Sequence, residues 1–237
     1  MNLDYAFMFS IIPVVAKALP VTLGLTFLSL FFALLLALLS GIILIRKVFI
    51  LNKVVLFFNT FLKGVPLLVQ LLFCYYAIPY LMEMADGFMG WHYDPRNPSY
   101  FAFAVVAFSF NYGAYITDLL LSSYRAVGRG QLEASYAVGM TSWQGMIHIV
   151  VPQAFAISLP GLGNYFMWLL KATSLASVVN VFEMLSVAKA STAENYAILE
   201  GYLVAAGIYW IVCIAAEKII KKSSREMNRY QKKVLAA

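Results

Sequence analysis

The sequence predicts an all-α integral membrane protein that crosses the bilayer five times, and three observations predict it. Hydrophobic residues fill 62% of the 237 positions and charged residues 12%, whereas soluble domains carry about 25% charged residues. So little charge cannot wet a globule, and so much apolar side chain excludes disorder. Second, charge-free runs extend from Ala18 to Ile45, Gly64 to Met82, Asn97 to Thr117, Ala134 to Leu170 and Gly201 to Ala216. A helix needs about 20 apolar residues to cross the hydrocarbon core, so these runs give spans at about 19–45, 55–82, 99–121, 150–171 and 199–220. Third, the basic residues gather in alternate connections, the pattern that fixes orientation.

Residues 1–16 come first. Asp4 is the only charged side chain before Lys17, whereas a secretory signal needs a basic start. Tyr5, Phe7, Phe9 and Ile12 instead suit an interfacial segment on the outer surface. The first span follows, then a turn with Arg46, Lys47 and Lys53. In the second span Lys63 sits about 13 Å in, at about 1.5 Å per residue, and Pro66 loosens the helix beyond it. The 83–98 connection holds Trp91, Tyr93, Pro95 and Pro98 and reads as an ordered outer loop. In the third span Asn111, Tyr115 and Asp118 fall at i, i+4 and i+7, on one face. Polar groups in lipid are costly, so that face is expected to line a cavity. Asp118 is within reach of Lys63, either as a structural ion pair or as a substrate contact. The fourth span ends at Lys171, Thr173 and Ser174. Counted from Ile149, Lys171 lies near or beyond the outer interface, as a snorkelling lysine or as part of the pathway. Gln70 and Asn164 are weaker pathway candidates. The fifth span leads into a basic tail.

The charges orient the chain. Arg46, Lys47, Lys53, Arg125, Arg129 and seven tail residues (Lys218, Lys221, Lys222, Arg225, Arg229, Lys232, Lys233) share one side. Lys17, Arg96 and Lys189 share the other with most of the acids, Glu183 and Glu200 among them. The N-terminus is therefore expected outside and the C-terminus in the cytoplasm. The net charge of +6 is that collar, not a nucleic-acid surface. Cys74 and Cys213 sit in apolar runs and offer neither a disulfide framework nor a metal set.

The 124–149 connection is too long for a simple bundle, where 2–8 residues are usual. Gln131–Val138 favours helix, and Gly139 is a stop signal. Thr141 or Ser142 with Gln144 is a weak capping pattern, opening a second short helix over about 142–150 that ends near Pro152. Such a knob would carry Met140 and Trp143 into the cytoplasm as a docking element.

Here the sequence resembles a known family. Glu133-Ala134-Ser135, then Gly139, Ile149 and Val151-Pro152, resembles the EAA loop of ABC-importer permeases, with Ser135 and Val151 as mild departures. Lys63-Gly64-Val65-Pro66-Leu67-Leu68-Val69-Gln70 is similar to the Arg-Gly-Thr-Pro-Leu-Leu-Val-Gln stretch of the polar amino acid branch (histidine, glutamine, cystine). Gly130-Gln131-Leu132-Glu133-Ala134, Val151-Pro152-Gln153-Ala154 and Lys171-Ala172-Thr173-Ser174-Leu175 resemble further motifs of that branch, in order.

The resemblance implies a single permease domain of the type I importer fold in the bacterial cytoplasmic (inner) membrane. Its expected partners are two copies of an ATP-binding subunit, a second permease subunit (identical or homologous) and an extracellular or periplasmic solute-binding protein. ATP-Mg belongs to the ATPase; this chain has no phosphate-cradling Gly-x-x-x-x-Gly-Lys loop, and no cofactor, metal or catalytic residue is expected in it. Arg129, Gln131, Glu133, Ala134, Gly139, Met140 and Trp143 would couple to the ATPase. Lys63, Gln70, Asn111, Tyr115, Asp118, Asn164, Lys171, Thr173 and Ser174 would line the substrate pathway by alternating access. Where the family commonly reads Glu-Ile-x-Arg-Gly-Gly, this chain has Asp118-Leu119-Leu120-Leu121-Ser122-Ser123, so family preferences resting on that arginine do not carry over; a polar amino acid fits, with cystine as a loose guess. The competing class, a motor-independent transporter or channel, is usually built from repeats, and five spans do not halve.

Overall fold

The computed structural model describes residues 3–90, 93–94 and 98–235, with backbone alone from 223 onward. Trp91, Pro95 and Arg96 of the expected outer loop lie outside the described residues, as do the side chains of Arg225, Arg229, Lys232 and Lys233. The described elements are helical: α1 (Tyr5–Ala16), α2 (Leu19–Arg46), α3 (Phe49–Gly64), α4 (Leu67–Met89), α5 (Tyr100–Ala126), α6 (Arg129–Ala137), α7 (Ser142–Gly145), a π turn (Met146–Val150), α8 (Val151–Ala172), a 3-10 segment (Thr173–Val179), α9 (Met184–Ser191) and α10 (Ile198–Leu235). Five helical stretches are long and apolar enough to cross a membrane: Leu19–Arg46, Leu67–Met89, Tyr100–Ala126, Ser142–Val179 and Ile198–Lys222.

α5 is the hub. Its buried face, which includes Ala104, Ala107, Phe108, Tyr112 and Ile116, forms one core with Leu25, Ala33 and Ala37 of α2, Leu71 of α4 and Leu169 of α8. Small residues let the backbones approach, as membrane helices require; a Cβ on Gly113 would stand 3.2 Å from Leu36 Cβ on α2.

The expected continuous span over 55–82 is broken. α3 ends at Gly64, Val65 is extended (φ −95°, ψ 131°), and Pro66 caps α4. Proline disfavours helical geometry in the residue before it and lacks an N–H to continue the ladder. Lys63 therefore stands at the end of a separate 16-residue helix, not 13 Å inside a through-going one. Pro66 breaks the helix; loosening it is too weak a description.

α1 is not simply laid on a surface. Ile11 and Val15 dock it into a second core with Met184 and Ala188 of α9 and Val204 and Ala205 of α10. The Asp4 side chain caps its first turn at Phe7 N, 2.9 Å.

The knob also differs from expectation. α6 stops where Gly139 takes φ 82°, a left-handed angle that suits glycine. Gly139 N–H donates to Tyr136 O and Met140 N–H to Ser135 O, both at 3.0 Å, the paired bonds of a Schellman stop. Thr141 and Gln144 form a reciprocal capping box at the start of α7. The helix does not end near Pro152. It runs from α7 through the π turn into α8, and Pro152, which has no N–H to continue the ladder, stands immediately after the π turn.

The other end of α8 packs against α10. Thr173 Oγ1 lies 3.2 Å from Tyr209 OH. Tyr209 is 11 residues into α10 from Ile198, about 16 Å at 1.5 Å per residue. Thr173, and with it the end of α8 that carries Lys171, therefore stands beside the middle of the apolar run of α10 and not beside its first turn.

Candidate functional site

The polar face of α5 turns inward to repair the break at Pro66. In an unbroken helix the Leu62 carbonyl would accept from the N–H of residue 66, and proline has none. Gln70 Nε2 takes its place, donating to Leu62 O at 2.6 Å and to Val65 O at 2.8 Å. Asn111 Nδ2 donates to the same Leu62 O at 3.2 Å, and Tyr115 OH to Lys63 O at 3.4 Å. Gln70 and Asn111 are buried. In the structure these side chains, expected to line a pathway, satisfy carbonyls that lipid would leave stranded.

That repair fixes the end of α3 and so aims Lys63. Its Nζ meets Asp118 Oδ2 at 2.5 Å, with the two side chains 26% and 55% exposed. The pair opens onto a cleft of about 250 Å³ lined by Asn59, Thr60, Lys63, Asp118, Ser122 and Arg125 among others. Asn59, on the inner stripe of α3, is buried, and its Nδ2 has no hydrogen-bond partner among the described residues. A buried unpaired amide is costly. Asn59 was not singled out from the sequence, although a lone Asn within an apolar run was the available signal. Tyr112, Tyr115 and Trp168 surround Tyr165 at centroid distances of 6.5, 6.3 and 5.2 Å.

α8 carries a separate group. Asn164, Trp168 and Lys171 are exposed and fall at i, i+4 and i+7 on one face. Ser174 Oγ bonds locally to Lys171 O, 2.8 Å. The structure does not bring this stripe onto the Lys63–Asp118 pair.

Thr173 departs from expectation most. It is fully buried, donates to Leu170 O at 2.7 Å and belongs to an internal network. Tyr209 OH donates to Glu183 Oε2 at 2.6 Å; Leu185 N–H and Ser186 N–H donate to Glu183 Oε2 and Oε1 at 2.9 and 2.8 Å. Met184 N–H donates to Thr22 Oγ1 at 3.2 Å. Glu183, expected among the outer-loop acids, is completely buried and ties α2, α9, α10 and the 3-10 segment together. Nothing in its local sequence announces burial; the tyrosine that accommodates it is 26 residues away.

On the knob, Arg129, Gln131, Glu133, Ala134, Gly139 and Trp143 are exposed and Met140 is half-buried. Gln131 Oε1 accepts from Gln153 Nε2 at 3.2 Å, and Tyr136 OH donates to Ser142 Oγ at 3.2 Å, which fastens α6 to α7 and α8. A Cβ on Gly145 would collide with Ser135 Oγ and press on Leu132 at 3.0 Å. Gly145 is thus the closest approach of the two short helices, a role that spacing alone does not reveal. His148 Nδ1 lies 3.0 Å from Gln144 O in the π turn, a local structural bond. Among the described residues no group of His, Cys, Asp and Glu can hold a metal.

Comparison with known proteins places the chain. It is 36% identical over 219 residues to the L-cystine transport system permease protein TcyB of Bacillus subtilis, covering 92% of this chain and 88% of that one. It is 30% identical over 228 residues to the glutamine transport system permease protein GlnP of Escherichia coli, covering 96% and 99%. A crystal structure of an amino acid ABC transporter with histidines superposes with a TM-score of 0.82 at 28% identity, covering 95% of this chain and 100% of that one. The inward-facing MetNI methionine ABC transporter, at 15% identity and TM-score 0.61 over 93% and 99%, shares the fold. In this family the permease is the non-catalytic membrane component, and ATP hydrolysis resides in a separate subunit. The family model described as binding-protein-dependent transport system inner membrane component matches residues 33–229, most of the chain, and the protein belongs to that family as a multi-pass protein of the cytoplasmic membrane.

Proposed function

We propose that this chain forms half of the translocation pathway of an ATP-driven importer for a polar amino acid. It works by alternating access with a second permease subunit, two ATPase subunits and a solute-binding protein. The observation that carries the reading is the exposed stripe of Asn164, Trp168 and Lys171 at membrane depth. A lysine facing lipid there is expensive, so the stripe belongs against a water-filled path or a partner. The cleft beside Lys63, Asp118 and Asn59 offers both charge signs to a zwitterion. The similarity to an L-cystine permease makes cystine the first substrate to try. The knob of α6 and α7, with Trp143 64% exposed, is the ATPase contact, and the charge-based orientation puts it in the cytoplasm.

Two measurements test this. An ATPase subunit co-purifies with the intact chain and is lost when residues 129–145 are deleted; no ATPase with the intact chain refutes the reading. Calorimetry of the cognate binding protein against cystine, arginine, histidine and glutamine names the substrate, and silence across that panel removes the polar amino acid assignment.

A further inference from the structure

A basic groove lies where α2, α3, α5 and α6 meet; it shares Leu44, Leu56, Leu121 and Arg125 with the cleft beside Lys63 and Asp118 and Arg129 with the expected coupling contact, while Lys47, Phe49 and Lys53 are its own. One chamber, about 410 Å³, is walled by Lys47, Arg125 and Arg129 together with Leu44, Ile45 and Leu132, among others. A second, about 420 Å³, adjoins it and is walled by Lys47, Lys53, Phe49, Leu56 and Arg125, among others. Leu44, Lys47, Leu121 and Arg125 belong to both. Three cationic residues reach each chamber, Lys47, Arg125 and Arg129 the first and Lys47, Lys53 and Arg125 the second, but the lining surface of the second is mostly apolar whereas that of the first is evenly divided.

Two further facts favour an anion. Among the described residues, the ion pairs are Lys63–Asp118 and Lys221–Glu217; Lys47, Arg125 and Arg129 are in neither, although Asp118 shares the neighbouring cleft with Arg125. Like charges held together repel unless something negative joins them. Lys47 also adopts φ 51°, a left-handed angle that costs a residue with a Cβ about 1–2 kcal/mol. Glycine would suit that turn better, yet a lysine stands there, and strain kept at such a position points to function.

We propose that this groove binds an anionic phospholipid. Its phosphate lies between Lys47 and Arg125 with Arg129 at the rim, and its glycerol and acyl portion runs along Leu44, Leu56, Leu121 and Phe49. The shared chemistry is a phosphate; what selects the lipid over free phosphate is the apolar second chamber continuous with the cationic one. Basic pockets between membrane helices on the cytoplasmic side recognise headgroups in this way, and the groove adjoins the first turn of α6. The proposal does not depend on which solute is carried.

The test uses the complete transporter, permease and ATPase together, released from nanodiscs of phosphatidylglycerol or phosphatidylcholine into native mass spectrometry. The expected result is retained phosphatidylglycerol and little phosphatidylcholine, with millimolar inorganic phosphate failing to displace the lipid. Lys47→Gly removes the charge while relieving the backbone, so the variant folds at least as well as the parent. Retention falls about fivefold in it, as the loss of one basic group near a membrane surface implies. Lys47→Arg keeps retention, and Arg125→Gln lowers it about as much as Lys47→Gly. Equal retention of both lipids, or unchanged retention in Lys47→Gly and Arg125→Gln, overturns the proposal. Displacement by inorganic phosphate overturns it too, in favour of a free-anion site.

Discussion

Removing the two amides that serve Leu62 O gives a prediction with a distinctive form. Gln70→Leu deletes the donors to Leu62 O and Val65 O, but Asn111 still reaches Leu62 O at 3.2 Å. The loss is then the Val65 bond plus a weakened Leu62 bond, about 1–3 kcal/mol, the usual cost of an unsatisfied buried carbonyl. Asn111→Leu leaves Gln70 on Leu62 O at 2.6 Å and costs about 0.5–1.5 kcal/mol. In the double variant Leu62 O is orphaned outright, because residue 66 has no N–H to return to it. A further 1–2 kcal/mol, approximately, follows as coupling between groups that share a partner. With about 2–4 °C of midpoint per kcal/mol for a chain of this size, the double variant melts about 2–8 °C below the sum of the singles. Thermal unfolding of the purified transporter, parent and three variants, reads this directly. Additivity of the two substitutions would refute the claim that both amides act on one carbonyl.

The remaining predictions concern the other sites. Lys63→Ala and Asp118→Ala each cost under about 1 kcal/mol of stability, since the pair is substantially exposed to solvent, yet each lowers solute uptake at least about tenfold, the effect of about 1.4 kcal/mol of binding or barrier. Uptake and melting measured on the same preparations separate the two, and a parallel small loss in both marks the pair as merely structural. Glu183→Ala leaves the Leu185 and Ser186 N–H groups and Tyr209 OH without their acceptor and destabilises by about 3–5 kcal/mol; a midpoint within 2 °C or so of the parent removes Glu183 from the network. Gly139→Val forces φ 82° on a branched residue and distorts the knob, so membrane insertion persists while ATP hydrolysis no longer drives uptake. Wild-type uptake per ATP in that variant counts against the knob as the coupling element. Trp143→Ala weakens ATPase co-purification in a salt-tolerant way, and unchanged recovery of the subunit argues that the indole is not at the contact.

Much of the fold was legible because a bilayer enforces it. Five charge-free runs became five helical stretches, and Gly139 and the Thr141–Gln144 pair acted as stop and cap. What escaped was tertiary accounting. Pro66 was visible as a disturbance, but whether it bends or severs a helix depends on donors supplied from elsewhere, here Gln70 and Asn111. The same two residues looked like pathway polarity, because a buried amide serving a carbonyl and one serving a solute have the same sequence signature. Glu183 was misplaced for a related reason: charge in a connection reads as solvated unless the chain folds back, and the 3-10 segment after Ala172 does that. Counting the depth of Lys171 from Ile149 treats the start of the fourth apolar run as a boundary, whereas the helical stretch begins at Ser142.

The helical stretch from Ser142 to Val179 is 38 residues long, about 55 Å at 1.5 Å per residue, with no loop in it. One end holds the capping box and Trp143; near the other stand Lys171 and the buried Thr173–Tyr209 contact. If the knob is the ATPase contact proposed above, an unbroken helix would carry a displacement there along its axis towards Thr173. Its pitch changes at the π turn and again at the 3-10 segment that ends it, and lengthening or closing either trades rotation for translation. Gearing in this protein would then be set at two short segments, Met146 to Val150 and Thr173 to Val179.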